Sequence, residues 1–439
     1  MTAPLDRRMF LIGIGGVAMA TGLAACSAPG SGSPQANNGS TSVKTLSFLT
    51  NSDDGTAAPT VKTWNSGKHA FSVKLQQTDS STYAQNFPRL ATSSDAPGIA
   101  GYFIDGGLFK DLAVAGSLLD LTSLWDKSGL SANVPDLIKK RYAGYTKDGK
   151  YYGAPTNTSR YGLMFYRKSV LKKAGVAEPT NHEWSSLAEF EAACTDLMKA
   201  GFNAISVGGK DGYPLSHIQD GLLASTMEAD LIAEPLSIDY TGEAWKAPVQ
   251  KMVDWNKKGF FARGFLGRST DQGNTLFGQG KAGFNTGMNV WEPLMLDAGV
   301  PREDLDWCLL PAIGDLPTKV SVYAGGGIVI PKVAAGHEQA LEFGEYLVGK
   351  ENALATAKSG AVIPARTDVP GLEAALGANG GSMFAFANQE GRSQFGWDDG
   401  APTSMITYDR TNLQAVLAGS LSVDDFGAQL QKLKTSAQS

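Results

Sequence analysis

A chain of 439 residues, 42% apolar and 18% charged, has ordinary globular composition; this argues against fibrous and disordered classes and allows two lobes or domains of roughly 150 to 200 residues. Its formal charge of −5 comes without a long basic cluster, which argues against a nucleic-acid partner. Three cysteines, Cys26, Cys194 and Cys308, form no CxxC pair, and the four histidines, His69, His182, His217 and His337, lack ligand spacing, so neither a metal site nor a cofactor is read. Cys194 and Cys308 stand in apolar surroundings that suit buried, inert thiols.

The amino terminus, "MTAPLDRRMFLIGIGGVAMATGLAAC", joins a positive start at Arg7 and Arg8 to an apolar run, which reads as a signal peptide over residues 1–25. The run from Met9 to Ala25 is diluted by glycines and short for a permanent span of ~20 strongly apolar residues. Asp6, the arginine pair and "MFL" resemble the twin-arginine export signal, although the same charges also satisfy the general secretory route. "LAAC", Leu23 to Cys26, resembles the lipobox of bacterial lipoproteins, which implies that the Cys26 thiol is acylated and becomes the first mature residue. Residues 26–44 are rich in Ser, Gly, Pro, Asn and Thr, too polar to pack. They form a flexible linker with a reach of roughly 20 to 25 Å.

Beyond the linker, "TLSFLT" (45–50) predicts a buried strand, followed by a turn into a helix, and "AFSVKLQQ" (70–77) predicts a second strand. Helical spacing at 82–94 leads to a buried strand at 96–103 and another helix in "GGLFKDLAVAG". In the second half, helices are expected at 186–201 and 247–259, a short apolar strand begins at Ala204, a strand covers 325–332, and one or two helices cover 338–360. Strands alternating with helices imply an α/β architecture with largely parallel sheets.

Taken in order, these segments resemble the solute-binding proteins of bacterial ABC importers, specifically the large sugar-binding family. "YYGAPTNTSRYGLMFYRKSVLKKAGV" (151–176) is similar to the family's Gly, Pro and Tyr-Asn-Lys stretch, with Arg167 where asparagine is usual. "HEWSSLAEFEAACTDL" keeps the family's tryptophan at Trp184, with Ser185 and Ser186 in place of acidic residues. "TLFGQGKAGFNTGMNVWEP" (275–293), the glycine-rich tract 322–366 and the closing helices at 413–433 resemble its later blocks.

The resemblance implies a two-lobed, type II periplasmic-binding-protein-like α/β fold with an interlobe ligand cleft and several hinge crossings. The crossings are expected near residues 154–160 and 323–329 and after Arg366, dividing the chain into lobe 1 (45–156 plus 328–367) and lobe 2 (157–327 plus 368–439). It also implies a monomeric, non-enzymatic receptor, lipid-anchored to the outer face of the cytoplasmic membrane. Such a receptor would capture a mono- or oligosaccharide and deliver it to the membrane permease of an ABC transporter.

A sugar offers hydroxyls and flat C–H faces, so its site needs several planar polar side chains and aromatic platforms, each neutral hydrogen bond adding only ~0.5 to 1.5 kcal/mol net. The resemblance places ligand contacts at Asn51, Asp53 and Asp54 after the first strand, and at Tyr102 and Asp105 in "YFIDGG". Asn157, Thr158 and Arg160 belong to the first crossing, Asn289, Trp291 and Glu292 to "NTGMNVWE", and Gly325 and Gly326 to the second crossing. Arg366, Trp397 and Asp398 would close the cleft from elsewhere; Tyr213 in "KDGYPLSH" could be a rim contact but better suits a position outside the site. Asp53, Asp54, Asp398 and Asp399 equally suit turn or cap positions, and Trp291 and Trp397 equally suit the core.

Two other functions fit less of the chain. A surface glycan hydrolase would use paired carboxylates such as Asp398 and Asp399, but the sequence has no GxSxG, HExxH or P-loop motif. The same fold could bind a non-sugar solute, such as a peptide, polyamine or chelate.

Overall fold

The computed structural model describes residues 42–51, 54–104, 107–146, 148–358 and 362–438. The signal peptide, Cys26 and most of the linker lie outside the described residues, as do Asp53 and Asp105.

The described strands are β1 (Thr45–Asn51), β2 (Ser72–Thr78), β3 (Ile99–Phe103), β4 (Ala154–Pro155), β5 (Asn157–Tyr161), β6 (Leu163–Arg167), β7 (Asn203–Ser206), β8 (Ala282–Gly287), β9 (Leu305–Leu309), β10 (Val320–Tyr323), β11 (Gly326–Val329), β12 (Ile363–Pro364) and β13 (Ser393–Phe395). They form three sheets, ordered β2-β1-β3-β11-β4, β12-β5-β10-β13 and β7-β8-β6-β9. The chain passes from the first sheet to the second through Thr156 and returns through Ala324 and Gly325. The second sheet therefore bridges the other two.

The expectation of largely parallel sheets is corrected: all three are mixed. Parallel pairs occur where a helix separates the partners, as for β1 with β2 and for β7 with β8. Strands that arrive through a crossing run the other way: β11 is antiparallel to β3 and β4, and β6 to β8 and β9.

The alternation in β1 buries Leu46 and Phe48 under the helix His337–Leu347, where the Phe48 and Phe343 rings meet edge to face at 5.6 Å. In the third sheet, β6 is buried along its whole length, as expected for a central strand covered on both faces. Leu163 and Phe165 face one apolar cluster with Trp307 and Met295, whereas Met164 and Tyr166 face another with Phe190 and Ile205.

Helix Leu187–Lys199 starts where Ser186 accepts from the Glu189 N–H at 3.2 Å. Residues 338–360 give two helices, His337–Leu347 and Lys350–Ala357, separated by Val348 and Gly349. The helix expected to begin at 247 instead spans Glu243–Lys257, with Pro248 inside it. Proline supplies no N–H to the carbonyl four residues back, and that carbonyl, on Ala244, accepts from the Thr226 hydroxyl at 2.8 Å. A side chain elsewhere in the fold thus makes the proline tolerable.

Between β5 and β6, Gly162 adopts φ +68 and passes directly beneath Gly221 of the helix Tyr213–Leu223. A Cβ on Gly162 would lie 3.1 Å from the Gly221 Cα, and one on Gly221 would lie 2.5 Å from the Gly162 carbonyl oxygen. The two glycines bring this helix onto the bridging strand.

Candidate functional site

The crossing strand β5 alternates its side chains between two environments. Asn157 accepts from the Gly326 N–H at 3.1 Å and donates to the Thr156 hydroxyl at 3.3 Å, tying the two crossings together beside Gly325 and Gly326. Thr158 donates to the Ile363 carbonyl at 3.5 Å and accepts from Arg160 Nη1 at 2.7 Å. The Arg160 N–H donates to Asn289 Oδ1 at 2.6 Å, linking β5 to the turn after β8. Thus Asn157, Thr158, Arg160, Asn289, Gly325 and Gly326 converge on the crossings.

Trp291, two residues after Asn289, is 8% exposed, with its ring 5.7 Å from Tyr213 and 5.9 Å from His217. Glu292 is buried beside Arg302, with 3.2 Å between Oε1 and Nη1; burial raises its carboxyl pKa, and Arg302 opposes the shift.

Behind β5, Tyr161 points the opposite way from Arg160, into a polar cluster. Its hydroxyl lies 3.1 Å from Asp220 Oδ2 and 2.9 Å from Asp398 Oδ1, and Arg410 Nη2 donates to Asp398 Oδ2 at 2.8 Å. Burial, then the Asp398 charge, pushes the Asp220 carboxyl well above the usual carboxylate range. Burial acts on Asp398 in the same direction, but Arg410 and further partners outweigh it and hold Asp398 below its ordinary value. Nearby, Ser216 donates to Asp409 Oδ2 at 2.6 Å; burial pushes Asp409 to about 7 and His217 down to about 4.

The other expected contacts are held within the fold. Asp54 accepts from the Thr56 N–H at 3.0 Å and its hydroxyl at 2.6 Å, a turn-forming arrangement before the helix Ala57–Ser66. Tyr102 is buried, its ring 4.3 Å from Phe87 and 5.6 Å from Tyr83. Arg366 is bidentate to Asp368 at 2.7 and 3.0 Å and donates to the carbonyls of Val348 and Ser128. Trp397 is buried against Trp245 and donates from Nε1 to the Tyr240 hydroxyl at 2.7 Å. Asn51, at the carboxyl end of β1, has a buried Oδ1 with no protein partner.

Sequence reasoning did not single out Tyr161, Ser216, Asp220, Asp409 or Arg410, and it passed over His217. One signal was present: in "YPLSHIQDGLL" the positions of Tyr213, His217 and Asp220 share a helical face.

Among the described residues, no group of His, Cys, Asp and Glu is arranged to hold a metal ion. Cys194 and Cys308 are buried free thiols; burial raises Cys194 well above its ordinary value and Cys308 to about 12. A surface cavity of about 560 Å³, lined by Met198, Phe202, Phe261 and Phe265, lies beside β7 and includes none of the crossing residues. Asn203, Asn256 and Arg263 also line it.

The family profile described as bacterial extracellular solute-binding protein matches residues 60–381. The chain belongs to this family. Among curated relatives, it is 26% identical over 190 residues to the mannitol-binding protein of Pseudomonas aeruginosa, covering 40% of this chain and 43% of that protein. It is 29% identical over 275 residues to a probable sugar-binding periplasmic protein of Brucella suis, covering 60% of each. This solute-binding protein thus spans 43% and 60% of the lengths of these two relatives.

Its fold is that of two-lobed sugar-binding proteins. A chitin oligosaccharide binding protein superposes with a TM-score of 0.77 at 19% identity, over 90% of this chain and 99% of that one. A solute-binding protein from Thermotoga lettingae, bound with alpha-D-tagatose, gives 0.70 at 17% identity, again over 90% and 99%. No helix among the described residues is long and apolar enough to cross a membrane.

Proposed function

We propose that this solute-binding protein captures a carbohydrate between its lobes, divided as 45–156 plus 328–367 and 157–327 plus 368–439. An ABC permease would then receive the sugar, with an acylated Cys26 tethering the receptor to the outer face of the membrane. The carrying observation is the set of polar side chains on the first crossing, Asn157, Thr158 and Arg160, with Asn289 bonded to it from the turn after β8 and the buried, unpartnered Asn51 Oδ1 at the end of β1. Ligands of α/β proteins bind at carboxyl ends of strands and between lobes. The names of the relatives support a sugar or polyol as solute. Asp53 and Asp105 complete the proposed contacts from lobe 1, and closure would follow from tighter binding to the closed state.

The test is a thermal-shift screen across sugars, polyols, peptides and polyamines, followed by titration calorimetry. A ligand that binds only the folded chain raises its melting temperature. Carbohydrate binding supports the reading; binding of another class alone overturns it. Cys26→Ala is expected to move the protein from the membrane fraction to the soluble one without changing affinity. Retention of the variant on the membrane would refute the anchor.

A further inference from the structure

Three arginines are buried among the described residues: Arg160, Arg167 and Arg366. Two of them have carboxylates. Arg167 pairs with Asp304 at 2.7 Å and donates to the Gly278 carbonyl, and Arg366 is bidentate to Asp368. Arg160 differs. Nη1 donates to Thr158 Oγ1 at 2.7 Å and the Ser159 carbonyl at 3.4 Å, whereas buried Nε has no protein partner. Burial alone lowers its pKa to about 10, with no carboxylate opposing the shift. The guanidinium therefore remains cationic at neutral pH, in a place where an uncompensated charge is costly.

A second guanidinium lies on the same sheet face, and the buried Asp399 carboxylate lies at the second crossing, where Oδ2 accepts from the Ala324 N–H at 3.2 Å. Arg160 is in register with Val322, and Val322 with Phe395, so the three side chains line one face of the bridging sheet. The Arg141 guanidinium stacks 4.2 Å over the Phe395 ring, and its buried Nε and Nη2 also lack protein partners.

We propose that the solute carries a carboxylate, as a uronic acid or another acidic sugar does, and that this group seats on the free Nε side of Arg160. A planar carboxylate matches the fork of a guanidinium, and Nη1 is already held by Thr158, which leaves the buried Nε as the donor without a protein partner. The inference rests on the carbohydrate reading and specifies its class.

The experiment is titration calorimetry of the purified mature chain with glucuronate, galacturonate and their short oligomers, beside the neutral parent sugars and sugar phosphates. An acidic sugar is expected to bind at least ~100-fold more tightly than its neutral parent, because the latter leaves a buried cation unpaired. Arg160→Gln should abolish that preference and raise the melting temperature of the unliganded protein, while Arg160→Lys should keep part of the preference. Equal binding of acidic and neutral sugars by the wild type overturns the proposal and leaves the carbohydrate reading standing. Preference for the phosphates overturns the carboxylate assignment. If no sugar of any kind binds, the carbohydrate reading itself fails.

Discussion

Asp220 and Asp398 share one hydroxyl: Tyr161 Oη lies 3.1 Å from an oxygen of the first and 2.9 Å from an oxygen of the second. A phenol has one proton to donate, so if both contacts are hydrogen bonds, one carboxyl must carry a proton of its own. Arg410 keeps Asp398 ionised. The proton therefore resides on Asp220, which donates to Tyr161, which donates to Asp398.

Asp220→Asn tests this chain. The Asp220 pKa is raised in the folded state, above an unfolded value of about 3.9. Below that value both states are protonated, and the titration of Asp220 does not change stability with pH. As pH rises from about 4, the unfolded chain releases a proton that the folded chain keeps, and stability falls by ~1.4 kcal/mol per pH unit until the folded carboxyl also ionises. Asparagine can make the same donation without that slope, so the variant should match or exceed the wild type near neutral pH. Melting temperatures across pH 4 to 8 decide it; an unchanged slope would mean that Asp220 is ionised. Asp409, raised to about 7, adds a slope of the same sign over about 4 to 7, which Asp409→Asn separates.

Arg366 and Asp368 have the opposite sign. Donation from Arg366 holds the Asp368 carboxyl at about 2. The pair's stabilisation is present above about 4 and is lost as pH falls toward 2. Asp368→Asn leaves the buried guanidinium without its carboxylate, at an expected cost of roughly 2 to 4 kcal/mol at neutral pH. Chemical denaturation at pH 7 and pH 3 should show the difference between wild type and variant shrinking in acid. An equal difference at both values would show that packing, not charge, accounts for the loss.

Gly221 sets two rules against each other. Alanine in a helix is favoured over glycine by about 1 kcal/mol, but here its methyl would meet the Gly162 carbonyl and the Leu310 side chain. Overpacking a tight contact typically costs about 1 to 3 kcal/mol. Gly221→Ala is therefore expected to lower stability, and a higher denaturation midpoint would show that the helix moves off the strand without penalty.

How much of this was legible depends on how far apart the partners lie. β1 and the helix Leu187–Lys199 could be read because their signals, alternation and a serine cap, lie within a few residues. The start of Glu243–Lys257 could not, since tolerance of Pro248 depends on Thr226. The crossing residues came from family resemblance rather than from local pattern. The Tyr161 cluster joins positions 59 and 237 residues apart, and no local periodicity reports such contacts. Trp397 fits a ligand platform as readily as a core until its indole N–H is seen donating to Tyr240.

Trp291 tests whether the aromatic wall serves the solute or only the fold. The ring is almost fully buried against Tyr213 and His217, so Trp291→Ala should cost about 3 to 5 kcal/mol of stability through the cavity it leaves. That loss alone says nothing about binding. Asn289→Ala probes the adjacent crossing contact by removing the acceptor for the Arg160 N–H, at about 1 to 3 kcal/mol for the stranded donor. If Trp291 acts only as packing, its folded variant should retain wild-type affinity while Asn289→Ala binds at least ~10-fold more weakly. If the aromatic wall supports the site, both variants should lose affinity, and Trp291→Phe should recover much of the stability while recovering less of the binding. Calorimetric titration well below each variant's melting temperature separates the two outcomes. Full affinity in both variants would remove Asn289 and Trp291 from the proposed site.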